Sequence, residues 1–183
     1  MAKQMGKYFI AIVPNDEIQE KATGLKYEVS DLFNSKYALK SPAHVTLKMP
    51  FVWNEAKEDK LIEMLTQFFQ DKPSFKLVFK GIGRFGRRVI YIRVEEQYQL
   101  TTLQSELSDH CKKKLKFTQE LSDKVYHPHM TIAFKDLKDV HFDNCLKYLK
   151  ERGFYETMDV KHVSLLKKEN FKWHIIYRFS LGK

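Results

Sequence analysis

Two short segments of the chain share one order of residue types that suits acid–base chemistry. SPAHVTLKMPF spans Ser41–Phe51 and YHPHMTIAF spans Tyr126–Phe134, and each has a proline followed by histidine, an apolar residue, threonine and another apolar residue. An imidazole has an unperturbed pKa of about 6.5, so it can take or give a proton near neutral pH. A threonine hydroxyl can donate a hydrogen bond to a charged oxygen. The paired segments therefore indicate chemistry on an anionic group.

The β-rich context of both segments predicts how these side chains are oriented. Side chains alternate between the two faces of a strand, so His44 and Thr46 share one face and His129 and Thr131 share one face. If the two halves of the chain pack about a pseudo-twofold axis, we expect the two strands to face each other across a cleft. That cleft would hold two imidazoles and two hydroxyls.

Such a set suits phosphoryl transfer without a metal ion. Opening a phosphodiester needs a base that deprotonates the attacking oxygen and an acid that protonates the leaving oxygen on the opposite side. Two histidines can do both. Two threonines can hydrogen-bond the non-bridging oxygens, where charge sits in the transition state.

The elements around the motifs repeat in the same order, which predicts one domain over residues 1–183 with an internal repeat at about 8–85 and 87–181. Each half reads strand, helix, motif strand, helix, strand. Apolar residues at helical or alternating spacing carry these assignments. The predicted strands are 8–14, 44–51, 75–85, 87–95, 129–134, 158–167 and 173–181, and the helices are about 16–33, 54–70, 98–116 and 142–152.

The composition of the chain indicates which partners and which cellular compartment to expect. A formal net charge of +9 fits an anionic partner, either nucleic acid, nucleotide or acidic membrane, and fits a lysine-rich solvated surface equally well. No apolar stretch approaches the roughly 20 residues of a membrane span, and the N-terminal apolar run is too short for a signal peptide. The two cysteines form no C-x-x-C pattern and fit free thiols. We expect a cytoplasmic protein with no membrane association and no obligate protein partner.

Two other histidine patterns serve as comparisons. His162 opens a third H-x-[ST] pattern, but it lacks the preceding proline and falls on a different strand of the repeat, so we interpret it as an ordinary strand residue. A metal reading takes His127 and His129 with His44 as a three-histidine site. No carboxylate is patterned with them and threonine is a poor zinc ligand, so we expect no metal and no other cofactor.

Three further residues are candidates for substrate binding. Lys48 is expected on the same strand face as His44, within reach of a phosphate. Phe51 and Tyr126 flank the motifs, and either ring could stack on a base. The turn GIGRFGRRV at 81–89 carries three arginines, and a basic hairpin near the cleft could hold a polyanion; we interpret it as a solvated hairpin.

The motifs AHVTLKM and PHMTIAF, with their strand context, resemble those of the 2H phosphoesterase superfamily, which includes the 2′-5′ RNA ligases and RNA cyclic phosphodiesterases. The resemblance covers nearly the whole chain. It implies an α+β, duplicated, bilobal domain with two antiparallel sheets around a central cleft and helices on the outside. It also implies a metal-independent enzyme that opens 2′,3′-cyclic phosphates of RNA or a nucleotide, or makes 2′-5′ linkages, with His44, Thr46, His129 and Thr131 as the catalytic residues.

One departure from the family pattern bears on the substrate. Members often carry an arginine soon after each motif, whereas here Lys48 follows the first motif, and Phe134 and Lys135 follow the second. Lysine presents a point charge and not a planar fork, so phosphate recognition is expected to differ. The alternative function is a non-catalytic RNA-binding module that uses the same cleft, and turnover of a cyclic phosphate separates the two.

Overall fold

A computed structural model of the chain describes residues 4–117, 121 and 125–182, and it has the predicted α+β architecture. No helix in these ranges is both long enough and apolar enough to cross a membrane. The strands are β1 Met5–Ile12, β2 Val45–Asn54, β3 Phe75–Phe85, β4 Val89–Val94, β5 His129–Phe134, β6 Tyr155–Val160, β7 His162–Glu169 and β8 Lys172–Ser180, and the α-helices are α1 Asp16–Phe33, α2 Glu58–Phe69, α3 Tyr98–Lys113 and α4 Asp139–Arg152.

The eight strands form one antiparallel sheet in the order β6-β3-β4-β5-β2-β1-β7-β8. The expectation of two separate sheets is therefore wrong in detail, because β2 and β5 join two four-stranded halves into one sheet. The sequence halves also exchange strands: β3 pairs with β4, and β7 pairs with β1. The two motif strands thus become central neighbours.

Within the described ranges, helices α1 to α4 pack against one face of this sheet. Each contributes an apolar stripe to a single core, for example Val29 of α1, Leu65 of α2, Leu107 of α3 and Leu149 of α4. A smaller cluster lies on the opposite face of β1 and β7, and its buried members are Phe9, Ala11 and Leu166. The described helices therefore cover one face of the sheet, and the second face carries only this smaller cluster.

The predicted strand at 158–167 is two strands. β6 ends at Val160 and β7 begins at His162, and the two lie at different positions in the sheet, next to β3 and next to β1. Val160 and Val163 are both buried, so the apolar pattern runs on through the break at Lys161 and hides it. The predicted helix at 54–70 likewise divides into a 3₁₀ turn, Glu55–Lys57, and α2.

Candidate active site

The two motifs meet at the seam between β2 and β5. Val45 pairs with Met130 in the antiparallel register, and both side chains are fully buried in the core. Each neighbour of that pair therefore belongs to the opposite face of the sheet. His44 precedes Val45 on β2 and Thr131 follows Met130 on β5, so His44 lies opposite Thr131.

The second pair follows from the same register. Thr46 follows Val45 on β2 and His129 precedes Met130 on β5, so Thr46 lies opposite His129. Opposed residues of an antiparallel pair have Cα atoms about 4.5–5.5 Å apart. The two motif strands are therefore neighbours in the sheet. The expectation that they face each other across a cleft is wrong. Their four polar side chains project from one face.

The two histidines make the same hydrogen bond. The Nδ1 atom of His44 lies 2.7 Å from the carbonyl oxygen of Pro42, and Nδ1 of His129 lies 2.6 Å from that of His127. A carbonyl oxygen only accepts, so Nδ1 carries the hydrogen in both rings. Each neutral imidazole therefore keeps its lone pair on Nε2, where it can accept a proton.

Helix α1 holds the segment that carries His44. The ammonium of Lys26 donates to the carbonyl oxygens of Ala38 and Ser41, both at 3.0 Å. The Oε1 atom of Gln19 accepts from the backbone N–H of Ala43 at 2.9 Å, and the Nε2 atom of Gln19 donates to the carbonyl oxygen of Ala43 at 3.3 Å. These contacts fix the segment through Ala43, next to the histidine.

The surroundings of His44 favour its neutral form. Burial, together with the nearby charges of Lys26 and His129, lowers the pKa of the ring to about 4, and the hydrogen bond to Pro42 opposes this shift. The ring also packs against Phe9, with centroids 4.8 Å apart. A positive charge on His129 lowers the pKa of His44, so the two imidazoles interact electrostatically.

His129 lies among aromatic rings contributed by the β3–β4 hairpin. Its centroid is 4.9 Å from that of Phe85, edge to face, and 5.3 Å from that of Tyr91. A Cβ on Gly83 would lie 2.6 Å from the Tyr91 ring, so only glycine leaves room for that ring. Burial lowers the pKa of His129, and the charge of His127 acts in the same direction.

Each motif strand has a bulge directly after its threonine. On β2, Thr46 pairs with Ala11 and Lys48 pairs with Ile10, so two residues of β2 oppose one of β1. On β5, the residue after Thr131 is likewise the extra one, between the pairs Tyr91–Thr131 and Ile90–Ala133. The matching bulges end the regular alternation just beyond each motif.

The bulge on β2 corrects the expectation for Lys48. Its partner Ile10 belongs to the helix-covered core, and cross-strand partners share a face. Lys48 is only 2% exposed, on the side of the sheet away from His44 and Thr46. Met49 takes the position on the motif face instead, beside Thr46.

The two aromatic candidates are placed differently from each other. Phe51 is packed in the core between Tyr8 and Phe117, with ring centroids 6.0 and 4.2 Å away, so its ring is not free to stack on a base. Tyr126 lines a pocket together with Thr46 and His129. The structure thus places Tyr126 next to Thr46 and His129, although Tyr126 also packs against the helix-covered core, and it leaves Phe51 away from them.

His162 and the arginine-rich turn lie outside this arrangement. His162 is exposed at the start of β7. In the arginine-rich turn, Arg87 is bound to the carboxylates of Asp139 and Asp143 at 2.7 and 2.8 Å, which ties the hairpin to α4. Within the described ranges, no three His, Cys, Asp or Glu side chains are grouped so as to hold a metal ion.

The sequence model of the 2′-5′ RNA ligase superfamily matches residues 14–171, a span that includes both motifs and the seam between them. This chain belongs to that superfamily. A superfamily member from Bacillus cytotoxicus, named as a candidate phosphoesterase, is 34% identical over 97% of this chain and 98% of its own length. A similarly named protein of Bacillus mycoides is 32% identical over 97% and 98%.

Solved structures of the superfamily have the same fold. The apo form of E. coli LigT matches with a TM-score of 0.69 at 16% identity, covering 98% of this chain and 99% of that one. LigT complexed with 3′-AMP matches with a TM-score of 0.67 at 17% identity, covering 97% and 99%. At these identities the likeness concerns the fold. Together with the named relatives, it is consistent with phosphoesterase activity.

Proposed function

We propose that this protein opens a 2′,3′-cyclic phosphate, or a related cyclic phosphodiester of RNA or a nucleotide, by two-histidine acid–base catalysis without a metal ion. The observation that carries the proposal is the matched pair of Nδ1 contacts, from His44 to Pro42 and from His129 to His127. Both rings thereby keep Nε2 available on one face of the sheet. Two proton-transfer groups of defined tautomer suit a reaction with one attacking and one leaving oxygen.

In the proposed reaction, a water oxygen attacks phosphorus and the bond from phosphorus to one ribose oxygen breaks. Nε2 of the neutral imidazole takes the proton from water. The second imidazole, charged at the start, gives its Nε2 proton to the departing ribose oxygen, and the product is a phosphate monoester. Thr46 and Thr131 donate hydrogen bonds to the non-bridging oxygens, where negative charge is concentrated.

A nucleotide or RNA substrate is supported from two sides. The chain is basic, with a net charge of +9, which favours polyanions. The related LigT has been crystallised with 3′-AMP, ATP and NADP⁺, all of them nucleotides. Ligation of RNA ends through a 2′-5′ bond is the same type of transfer at the same site: the 5′-hydroxyl of a second RNA attacks phosphorus in place of water, and the bond from phosphorus to the 3′ oxygen breaks.

Product analysis tests the proposal. The purified protein, treated with chelator, is incubated with nucleoside 2′,3′-cyclic phosphates and with short RNAs ending in a cyclic phosphate, and the phosphate is followed by phosphorus NMR. We expect conversion to the monoester in the wild type and in the exposed-strand control His162→Ala. RNA binding with the cyclic ends intact would favour the binding module instead, and loss of turnover on chelation would overturn the metal-independent mechanism.

A further inference from the structure

The seam between β2 and β5 has little backbone pairing of its own. Among the described residues, Val45–Met130 is the one register pair that joins the two strands, whereas β2 pairs with β1 and β5 pairs with β4 over several residues each. The proposed reaction nevertheless needs groups from both motifs on one phosphate. The alignment of the two motif strands therefore depends on contacts beyond the seam.

Asp136 supplies such a contact, from the end of the second motif strand to the segment before the first motif. Its Oδ1 atom accepts from the hydroxyl of Ser35 at 2.8 Å, and its Oδ2 atom accepts from the backbone N–H groups of Lys36 and Tyr37, both at 2.8 Å. Hydrogen bonds to an ionised carboxylate are roughly twice as strong as those between neutral groups. One side chain thus ties the segment before His44 to the end of β5.

The backbone that presents Asp136 is strained. Lys135 has a φ of 64°, and the N–H of Asp136 donates to the carbonyl oxygen of Phe134 at 2.8 Å. A turn of three residues with a positive φ at its centre is rare and strained. The Lys135 ammonium donates to the Tyr37 hydroxyl at 3.0 Å, and the Tyr37 ring packs edge to face against Phe134, with centroids 5.0 Å apart. Strained backbone persists only where its surroundings fix it, and it clusters at functional sites, so the strain favours a functional role for this contact.

The segment held by Asp136 also orients His44. A 3₁₀ turn, Tyr37–Lys40, leads from it to Pro42, whose carbonyl oxygen lies 2.7 Å from Nδ1 of the His44 ring. Helix α1 holds the same segment through Lys26. The position of the His44 ring relative to β5 is therefore set through this segment.

We propose that Asp136 is a positioning residue for the reaction: by tying the segment before His44 to the end of β5, it keeps the His44 imidazole in line with the phosphate bound at Thr131. The inference rests on the proposed function, because the role that it assigns to Asp136 exists only in that reaction. Asp136 acts through His44 and does not itself touch the substrate. Its removal should therefore slow the chemical step more than it weakens substrate binding.

Asp136→Ala tests this role in the kinetics of a nucleoside 2′,3′-cyclic phosphate. A small displacement of a catalytic group can cost about 100-fold in rate, and we expect kcat to fall by about 10- to 100-fold with KM little changed. Asp136→Asn keeps one acceptor oxygen and should recover part of the loss.

Glu28→Ala is the matched control. The Glu28 carboxylate also accepts three hydrogen bonds, from the side chains of Tyr148 and Arg152, and so joins α1 to α4. This variant should keep the wild-type kcat at a temperature at which it and Asp136→Ala are both folded by circular dichroism. A loss in Glu28→Ala as large as that in Asp136→Ala would overturn the inference.

A double-mutant cycle with His44 separates positioning from a merely structural effect. If Asp136 acts through His44, Asp136→Ala should cost little further in a His44→Ala background, whereas a loss of folded protein would cost the same factor in both backgrounds. If the alanine variant does not fold, Asp136→Asn carries the same cycle. An equal factor in both backgrounds, or an unchanged kcat in Asp136→Ala, would overturn the inference and leave the proposed function standing. Absence of turnover in the wild type would overturn the proposed function and this inference with it.

Discussion

His44 lies directly across the β2–β5 seam from Thr131, one residue along from the buried Val45–Met130 pair. The histidine of one motif is thus next to the threonine of the other, and the same holds for His129 and Thr46. Each proposed phosphate contact is shared between the two motifs. The proposed reaction uses two histidines and two threonines, and each motif strand supplies only one of each.

The pH dependence of activity follows from the surroundings of the two rings. Burial lowers the pKa of both His44 and His129 in the free protein, because a charged imidazole loses solvation there. The kcat/KM profile reports the free enzyme, so we expect a bell whose maximum lies on the acid side of pH 6.5. Bound anionic phosphate favours imidazolium, and the kcat profile should therefore lie at higher pH.

Single substitutions then assign the limbs of that bell. His44→Ala and His129→Ala should each remove one limb from the profile of residual activity, and the two should remove different limbs. The two apparent pKa values belong to the interacting pair. A maximum well above pH 6.5, or loss of the same limb in both variants, would contradict the proposed division of acid and base.

Lys26 is predicted to lower the pKa of His44 through its positive charge. Its ammonium is buried, holds the carbonyl oxygens of Ala38 and Ser41, and lowers the pKa of His44. Lys26→Met removes this positive charge, so the pKa of His44, measured by NMR titration, should rise toward its ordinary value. Lys21→Met is the control, since Lys21 is on the same helix but paired with Glu17 and Glu156 at the surface. A pKa of His44 that stays or falls in Lys26→Met would disprove this effect.

The threonines should matter less than the histidines. Thr46→Ala or Thr131→Ala removes one hydrogen bond to a charged group, worth about 1.5–3 kcal/mol, or roughly 10- to 150-fold in kcat/KM. Proton transfer remains in place in both variants. Thr46→Ser and Thr131→Ser keep a hydroxyl and should recover most of the loss. Serine variants as slow as the alanine variants would show that the methyl group, and so packing, is what counts.

His44 should also make the fold sensitive to acid. Its folded pKa of about 4 lies below the unfolded value of about 6.5, so the unfolded chain binds more protons between these limits. The contribution is complete above pH 6.5 and is lost as the pH falls through 4. It amounts to at most about 3 kcal/mol, because the ring keeps part of its exposure. In urea unfolding, His44→Gln should lose less stability than the wild type between pH 6.5 and 4, and an equal loss would contradict the shift.

The sequence predicted the elements better than their arrangement. β3 and β5 have the predicted bounds, and α1 begins and ends where its apolar stripe does, because periodicity is a local signal. Whether β2 and β5 would face or adjoin each other is a non-local outcome. It depends on the exchange of β3 and β7 between the halves, which no local pattern encodes.

The candidate site was predicted in part. The motif residues could be found because their spacing matches strand alternation, but the bulge after Thr46 turned Lys48 to the core, and alternation alone cannot show a bulge. Lys26 was missed, although a signal exists: it lies among Ala22, Leu25 and Val29 on the buried stripe of α1. A lysine on such a stripe is unusual and indicates a buried role. Phe9 and Tyr91 were missed because aromatic residues on strands are ordinary core formers.

The most direct test of the central claim is the rate of cyclic phosphate opening in His44→Ala, in His129→Ala and in the double variant. Each single change should cost on the order of 10²–10⁴ in kcat/KM, the usual worth of a positioned acid or base. The double variant should lose far less than the product of the two, because both groups act in one step. Full activity in either single variant, or losses that multiply in the double variant, would contradict a single site built from both motifs.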